Sequence, residues 1–383
     1  MSVTAPLGFR AAGVTAGLKE SGQADVAVVL NDGPSRAAAA VFTSNRVQAA
    51  PVIWTRQVVS GGRVRAVVLN SGGANACTGP AGFQDTHSTA EHLAAAIGDS
   101  AGEIAVCSTG LIGERLPMDK LLPGVDAAVA GASRAGGLAA ADAIRTTDTV
   151  VKIAFRRGTG YMFGGMAKRA GMLAPALATM LCVLTTDADL GPAELEAALR
   201  SAAGQTFDLL DTDGCMSTND TVLLLASAAS GLRPEVGEFT RTLTEVCGDL
   251  ARQLQLDAEG AAKMITIEVV GAASETDAVT AGRAVARNDL LKCAIGGEDP
   301  NWGRVLAAVG TTDAVFEPDR LNVAINGVWV CRHGAPGDER SKVDLTGKDV
   351  TITVDLSAGP HSAVILTTDL TAAYVHENSA YST

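Results

Sequence analysis

The chain has 383 residues, which is enough for one to three domains with well-buried cores. Its formal net charge of −12, without a basic cluster interleaved with aromatic residues, argues against nucleic acid or an anionic membrane as a partner and favours small-molecule chemistry. Hydrophobic residues make up 47% of the chain but aromatic residues only 4%, so Ala, Val, Leu and Gly must form closely layered cores.

The first part of the chain predicts short strands joined by glycine-rich turns, with helices between them. The predicted strands cover 26–30, 36–43, 64–70, the run from residue 104 and, around a turn at 157–160, most of 150–167. The predicted helices cover 84–97, 119–130 and 137–145. The run from residue 104 ends in the turn Thr109-Gly110, which has two readings: a plain turn with a helix cap, or an anion site in which backbone N–H groups and the Thr109 hydroxyl face a cleft.

A central segment, 168–187, leads from Lys168-Arg169 through Gly and Pro into an apolar run. This pattern predicts a loop that feeds a fully buried strand. Thr179 stands at the start of that run, where a buried hydroxyl must either hydrogen-bond to the backbone or take part in chemistry. The spacing alone leaves both readings open, and the backbone bond is the commoner one.

The rest of the chain predicts alternating helices and strands, then a strand-rich end. The helices are expected over 192–204, 235–256 and 276–287, and the strands over 221–226, 264–271, 350–356 and 363–366. Asn326-Gly327 between two apolar runs predicts a hairpin with a type I′ turn, while 296–304 reads as a rigid loop and 377–383 as a fraying tail. Glu259, at a helix-to-strand junction, is either a ligand for an ammonium group or a solvated loop charge.

The remaining sequence signals indicate a cytoplasmic protein without a metal. The N-terminus has no charged segment followed by an apolar one, and no stretch reaches the roughly 20 apolar residues of a membrane span. Seven scattered cysteines read as reduced thiols rather than as a disulfide framework. The five histidines are dispersed, and only Cys331-Arg332-His333 gives a weak metal signal.

Several separated motifs, in a fixed order, together resemble the glutamate N-acetyltransferase (ornithine acetyltransferase) family of arginine biosynthesis. The resemblance spans nearly the whole chain. Its carriers are Cys107-Ser-Thr-Gly-Leu-Ile-Gly113, Thr146-Thr-Asp-Thr149, Gly164-Gly-Met-Ala-Lys168, Gly171-Met172 with Ala178-Thr-Met-Leu181, Glu259-Gly260-Ala261, Asp299-Pro-Asn-Trp-Gly-Arg304 and Asn378-Ser-Ala-Tyr-Ser-Thr383.

The resemblance implies an α/β (α+β) sandwich of the ornithine acetyltransferase and D-aminopeptidase type, similar to N-terminal-nucleophile enzymes. It implies self-cleavage between Ala178 and Thr179, which gives an α chain (1–178) and a β chain (179–383) that assemble into an α2β2 heterotetramer. A smaller β-rich C-terminal domain is expected over about 280–383. Many relatives carry Gly where this chain has Arg169, and they differ also at Ala176-Leu177, so the efficiency of cleavage stays open.

By the same resemblance, Thr179 is the nucleophile, and the Thr109 hydroxyl with the Gly110 N–H forms the oxyanion hole. The implied substrate-binding residues are Thr146, Lys168, Thr179, Glu259, Asn378 and Thr383. No metal and no cofactor are expected, although some members use acetyl-CoA as a further acetyl donor. The implied reaction moves the acetyl group of N-acetylornithine to glutamate through an acetyl-Thr ester. The alternatives are a related amidase or aminopeptidase, in which water takes the acyl group, and a non-enzymatic binding protein.

Overall fold

The computed structural model describes residues 2–169, 171–172 and 180–380. In chain order its strands are β1 (Phe9–Val14), β2 (Val26–Asn31), β3 (Ala38–Phe42), β4 (Ala66–Ser71), β5 (Ile104–Thr109), β6 (Lys152–Arg157), β7 (Met162–Lys168), β8 (Leu181–Thr186), β9 (Thr221–Ala226), β10 (Met264–Ala272), β11 (Asn322–Ile325), β12 (Val328–Arg332), β13 (Ala335–Pro336), β14 (Asp349–Asp355) and β15 (His361–Thr368). Its helices are α1 (Ala50–Val59), α2 (Gly79–Ile97), α3 (Met118–Gly131), α4 (Gly137–Ala143), α5 (Pro192–Gly204), α6 (Val236–Leu256), α7 (Glu275–Ala286), α8 (Asp289–Gly296), α9 (Trp302–Val309) and α10 (Ala372–Ala380).

Two sheets stacked face to face form the centre of the molecule. The first has the strand order β1-β2-β4-β5 and the second β3-β9-β8-β7-β6. Their facing sides share one apolar core, to which Phe9 and Leu69 contribute from the first sheet and Met166 and Leu223 from the second. Strands such as β2 are buried along their whole length because both faces are covered, which explains their continuous apolar sequences.

Helices cover the outer face of each of these sheets. Leu93 of α2 and Val125 of α3 pack on the first sheet, and Leu195 of α5 and Phe239 of α6 pack on the second. The layers therefore run helix, sheet, sheet, helix, which confirms the predicted α/β sandwich.

A third sheet, with the order β13-β12-β11-β14-β10-β15, has its own apolar core with α7, α8 and α9. It includes β10, which begins at Met264, upstream of the position near 280 where we expected the smaller C-terminal domain to start. In its β11–β12 hairpin, Asn326 and Gly327 have φ of 46° and 81°. Positive φ at both central residues is what the predicted type I′ turn requires.

The structure corrects two predictions near the C-terminus. The expected rigid loop 296–304 ends in a helix, because α9 begins at Trp302. The tail is helical as far as Ala380, where we expected fraying. The Thr371 hydroxyl accounts for this difference, since it donates to the Gly260 carbonyl at 2.6 Å and accepts from the Tyr374 N–H at 3.2 Å, which ties the first turn of α10 to the body of the protein.

The segment that contains the predicted cleavage point joins two neighbouring strands of the second sheet. Strands β7 and β8 are antiparallel, and Lys168 is paired with Leu181 at their common end. Both ends of the segment are thus held by the same sheet. Ala178 and Thr179 lie outside the described residues, and so does Thr383.

Candidate active site

Two of the predicted site residues meet where strands of the two facing sheets end. Thr109 is the last residue of β5, and Lys168 is the last residue of β7. The Lys168 Nζ donates to the Thr109 Oγ1 at 2.8 Å, and both side chains are buried. Because the sandwich stacks the two sheets, residues 59 positions apart in sequence come into direct contact.

Gly110 follows Thr109 in a conformation that only glycine adopts easily. Its φ is +127°, and a Cβ at this position would lie 2.6 Å from the Gly73 nitrogen. The Thr109 carbonyl accepts hydrogen bonds from the N–H groups of Gly72 and Gly73, both at 3.0 Å, which fixes the turn. None of the described residues accepts a hydrogen bond from the Gly110 N–H. This N–H and the Thr109 hydroxyl are the two kinds of donor that an oxyanion hole uses.

A buried carboxylate, Asp148, holds the surroundings of Lys168 in place. It accepts from the Lys152 Nζ at 2.6 Å, the Arg169 N–H at 2.6 Å and the Thr146 N–H at 3.1 Å. Lys152 also pairs with Asp257. Burial by itself favours the neutral acid, but the charges of Lys168 and Lys152 hold the pKa of Asp148 below its ordinary value.

Lys168 is a buried cation whose pKa is strongly lowered. Burial lowers its pKa to about 8, against the opposing attraction of Asp148. At neutral pH the ammonium form still predominates and serves as the donor to Thr109. A Thr hydroxyl that accepts this bond keeps its own proton free to point elsewhere.

The other predicted residues form a second contact group, around Glu259. Its Oε1 accepts from the Thr147 hydroxyl at 2.7 Å and its Oε2 from the Asn378 side-chain amide at 2.9 Å. The Gly171 backbone lies so close that a Cβ there would come within 2.6 Å of the Glu259 carboxylate. A cavity of about 240 Å³ adjoins Glu259 and is also lined by Asp213, Lys292 and Tyr374 among others.

One buried acid adjoins the predicted nucleophile along the chain. The Oδ1 of Asp220 accepts the N–H of Met180, the residue directly after Thr179, at 2.6 Å. Burial raises the pKa of this fully enclosed carboxyl well above its ordinary value. Thr179 itself lies outside the described residues.

The structure therefore links Thr109, Gly110, Thr146, Lys168, Glu259 and Asn378 through the 146–148 segment. Sequence reasoning missed the supporting residues Asp148, Lys152 and Asp257. Of these three, only Asp148 stands in a motif that the resemblance used, Thr146-Thr-Asp-Thr149, and that motif gave no role to it. The described residues contain no group of three or more His, Cys, Asp and Glu side chains placed to hold a metal ion.

Together, these groups offer two hydrogen-bond donors for a developing oxyanion and a carboxylate for an ammonium group. That combination suits acyl transfer to or from an amino acid. The ArgJ family matches this chain over residues 10–383. The chain belongs to the ArgJ family.

Full-length relatives support the same assignment. The chain is 75% identical over 383 residues to the arginine biosynthesis bifunctional protein ArgJ of Thermobifida fusca (strain YX), with all of both chains covered. It is 68% identical over 382 residues to ArgJ 1 of Streptomyces clavuligerus, again with both chains covered.

A crystal structure of ornithine acetyltransferase from Mycobacterium tuberculosis, complexed with ornithine, is 58% identical. It covers 46% of this chain and 96% of its own, with a TM-score of 0.43.

Within the described part of this ArgJ chain, no helix is both long and apolar enough to cross a membrane. All seven cysteines are unpaired, four of them buried. Burial raises the pKa of the Cys107 thiol, on the strand that carries Thr109, to about 12, so this thiol stays protonated and unreactive.

Proposed function

We propose that this protein transfers the acetyl group of N2-acetylornithine to glutamate, giving ornithine and N-acetylglutamate for arginine biosynthesis. Membership of the ArgJ family and the names of its full-length relatives support the pathway. The observation that carries the chemistry is the buried hydrogen bond from the Lys168 ammonium to the Thr109 hydroxyl, next to the Gly110 N–H, which donates to none of the described residues.

In the first half-reaction, the Thr179 hydroxyl attacks the acetyl carbonyl of N-acetylornithine. The α-amine of Thr179, set free by self-cleavage, takes the hydroxyl proton because the pKa of an α-amine lies near neutrality. The Thr109 hydroxyl and the Gly110 N–H stabilise the oxyanion of the tetrahedral intermediate. The C–N bond then breaks, the ornithine nitrogen takes the proton, and the acetyl group stays on Thr179 as an ester.

In the second half-reaction, the amine of glutamate attacks this ester. The same two donors stabilise the second oxyanion, the bond between the acetyl carbon and the Thr179 oxygen breaks, and the oxygen recovers a proton from the attacking amine. N-acetylglutamate leaves and Thr179 is regenerated. No bound cofactor is needed. The relatives are named bifunctional. We propose acetyl-CoA as a second acetyl donor, as the motif resemblance implies for some members of the family.

Among the substrate contacts, we assign the substrate ammonium group to Glu259, whose carboxylate Thr147 and Asn378 orient. Lys168 supports the oxyanion side, and Thr146 and Thr383 complete the pocket. We further infer self-cleavage between Ala178 and Thr179, assembly of the products as an α2β2 heterotetramer, and a cytoplasmic location.

A denaturing gel of the purified protein and of Thr179→Ala tests this proposal. The wild type should give two fragments, one of them with Thr179 at its N-terminus, and Thr179→Ala should stay intact and inactive. An uncut wild type that transfers acetyl groups would contradict the autoprocessing mechanism.

The requirement for glutamate as the acetyl acceptor distinguishes acetyl transfer from hydrolysis. Ornithine release from N-acetylornithine should require glutamate and produce N-acetylglutamate in equal amount. Acetate released at the same rate without glutamate would instead favour the amidase alternative.

A further inference from the structure

Arg169 is a buried cation for which the described residues provide almost no partners. Its side chain is 2% exposed. The Nε donates to the Gly171 carbonyl at 2.9 Å, while the buried Nη2 has no hydrogen-bond partner within the described ranges. None of the ion pairs among the described residues involves this guanidinium, although its neighbours Lys168 and Lys152 are both bonded.

A buried guanidinium with an unsatisfied donor and no ion pair among the described residues is unfavourable, so the burial of Arg169 suggests an anion that binds there. Burial lowers the pKa of Arg169 to about 10, which leaves it charged at neutral pH. Four acids attract this charge, Asp220, Asp213, Glu259 and Asp148, but none of them forms an ion pair with it within the described ranges. Burial also raises the pKa of Asp220 and Asp213, which favours their neutral forms.

Arg169 is connected to the Glu259 side of the proposed substrate pocket through Gly171. Gly171 accepts the Arg169 Nε bond through its carbonyl, and its Cα lies against the carboxylate of Glu259. A cation and an anion therefore flank one glycine, at the end of the pocket assigned above to the substrate ammonium group. The cavity of about 240 Å³ is lined by Glu259 but not by Arg169 or Gly171, so it provides room for a small polar ligand on the Glu259 side of this glycine.

We propose that Arg169 binds the γ-carboxylate of the acceptor glutamate, at the same subsite where Glu259 binds the side-chain ammonium group of the donor. This inference rests on the proposed function, and the contact is particular to chains with arginine here, because many relatives carry Gly at this position. In a ping-pong cycle, both substrates occupy one pocket in turn, and their side chains end in opposite charges. The guanidinium of Arg169 and the carboxylate of Glu259, on either side of Gly171, allow the pocket to bind the side-chain carboxylate of glutamate and the side-chain ammonium group of ornithine in turn. The planar guanidinium can bind a carboxylate through two parallel hydrogen bonds.

The test compares Arg169→Gln and Arg169→Lys with the wild type, with Arg134→Gln as a control for loss of an exposed arginine. Calorimetric titration with glutamate, glutamine and ornithine measures binding independently of turnover. In Arg169→Gln, the affinity for glutamate should fall roughly 10- to 100-fold, because a hydrogen-bonded charge pair is lost. The affinities for glutamine and ornithine should change by less than threefold. Arg169→Lys should recover part of the glutamate affinity, and Arg134→Gln should match the wild type.

Two results would overturn the inference: unchanged glutamate affinity in Arg169→Gln, or an equal loss for glutamate, glutamine and ornithine. Failure of the proposed function would look different, because the wild type would then bind these ligands without transferring acetyl groups. If circular dichroism shows that Arg169→Gln is unfolded, the wild type alone decides. It should bind glutamate at least tenfold more tightly than glutamine, and equal affinities would refute the role of Arg169.

Discussion

The two sides of the candidate site are built differently. One side, the oxyanion wall, consists of Thr109, Gly110, Asp148, Lys152 and Lys168. Its charged side chains are buried, and each is bonded to a fixed partner. The other side, the recognition wall, consists of Thr147, Arg169, Gly171, Glu259 and Asn378. It includes the exposed Asn378 and the Nη2 of Arg169, which has no partner in the part of the chain that the structure describes, and its Glu259 borders a cavity.

This difference follows from the elements that carry each wall. Thr109 and Lys168 end strands of the central sandwich, whereas Glu259 lies in a turn after α6 and Asn378 lies in the terminal helix α10. Donors that stabilise a transition state work best when they are fixed in advance. Groups that bind two substrates of different charge need hydrogen-bonding atoms that are not already occupied by the protein. The comparison suggests that rigidity is concentrated where the chemistry is the same in both half-reactions.

The strongest way to break the oxyanion wall is Asp148→Asn, which removes the negative charge that pairs with Lys152 and attracts Lys168. Because it leaves buried cations underpaired, the free energy of unfolding should fall by about 3–5 kcal/mol. Urea denaturation measures this change. The matched control is Asp142→Asn, which removes a partly exposed ion pair with Arg145 and should cost at most about 1 kcal/mol. Similar losses in both variants would mean that the Asp148 network is not a structural centre.

Thr109→Ala removes one donor from the oxyanion wall and leaves the recognition wall complete. We expect turnover to fall roughly 10²- to 10³-fold, with ornithine affinity nearly unchanged. Steady-state kinetics and an ornithine titration separate the two effects. Thr109→Ser keeps the hydroxyl and should retain most of the activity. Loss of ornithine affinity with normal turnover would show that Thr109 belongs to the recognition wall rather than to the oxyanion wall.

Asn378→Ala breaks the recognition wall at its exposed end. Because Glu259 loses a hydrogen bond that orients its carboxylate, KM for N-acetylornithine should rise roughly tenfold while kcat changes little. Ser379→Ala, on the same helix, serves as the control. A decrease confined to kcat would show instead that Asn378 acts on the chemical step.

The smallest expected effect is the pH dependence that Lys168 gives to the oxyanion wall. With a pKa of about 8, the ammonium form declines and turnover should fall about fourfold between pH 7 and pH 8.5. The stability effect has the opposite sign. The pKa of Lys168 in the folded protein lies below its value in the unfolded chain. The unfolded chain therefore binds more protons between about pH 8 and pH 10.5. Over that range the contribution of Lys168 to the free energy of unfolding rises with pH. A pH–rate profile of the wild type checks the effect on turnover, and denaturation of Lys168→Met and the wild type at several pH values checks the effect on stability. A flat rate profile would contradict the role of the ammonium group.

Sequence patterns predicted the frame of the molecule better than its site. The fully apolar runs of β2 and β9 and the Gly-Pro start of α5 predicted those elements within a residue. Helix α10 escaped prediction because its polar sequence is held by a tertiary bond from Thr371 to Gly260.

Motifs named six of the residues that the structure connects, but not the contacts between them. The bond between Lys168 and Thr109 spans 59 positions, and that between Lys152 and Asp257 spans 105. Such contacts depend on how the sheets stack, which no local pattern records. The roles assigned to Thr179 and Thr383 remain predictions from the motifs.

The pairing of β7 with β8 has a consequence for the protein after self-cleavage. A cut between Ala178 and Thr179 would assign β3, β6 and β7 to one polypeptide and β8 and β9 to the other, within the sheet order β3-β9-β8-β7-β6. The two products would then share one sheet and one core, so neither could leave without exposing the interior of the other. They should copurify without any covalent link, and a gene split at this point should yield folded protein only when both halves are synthesised together.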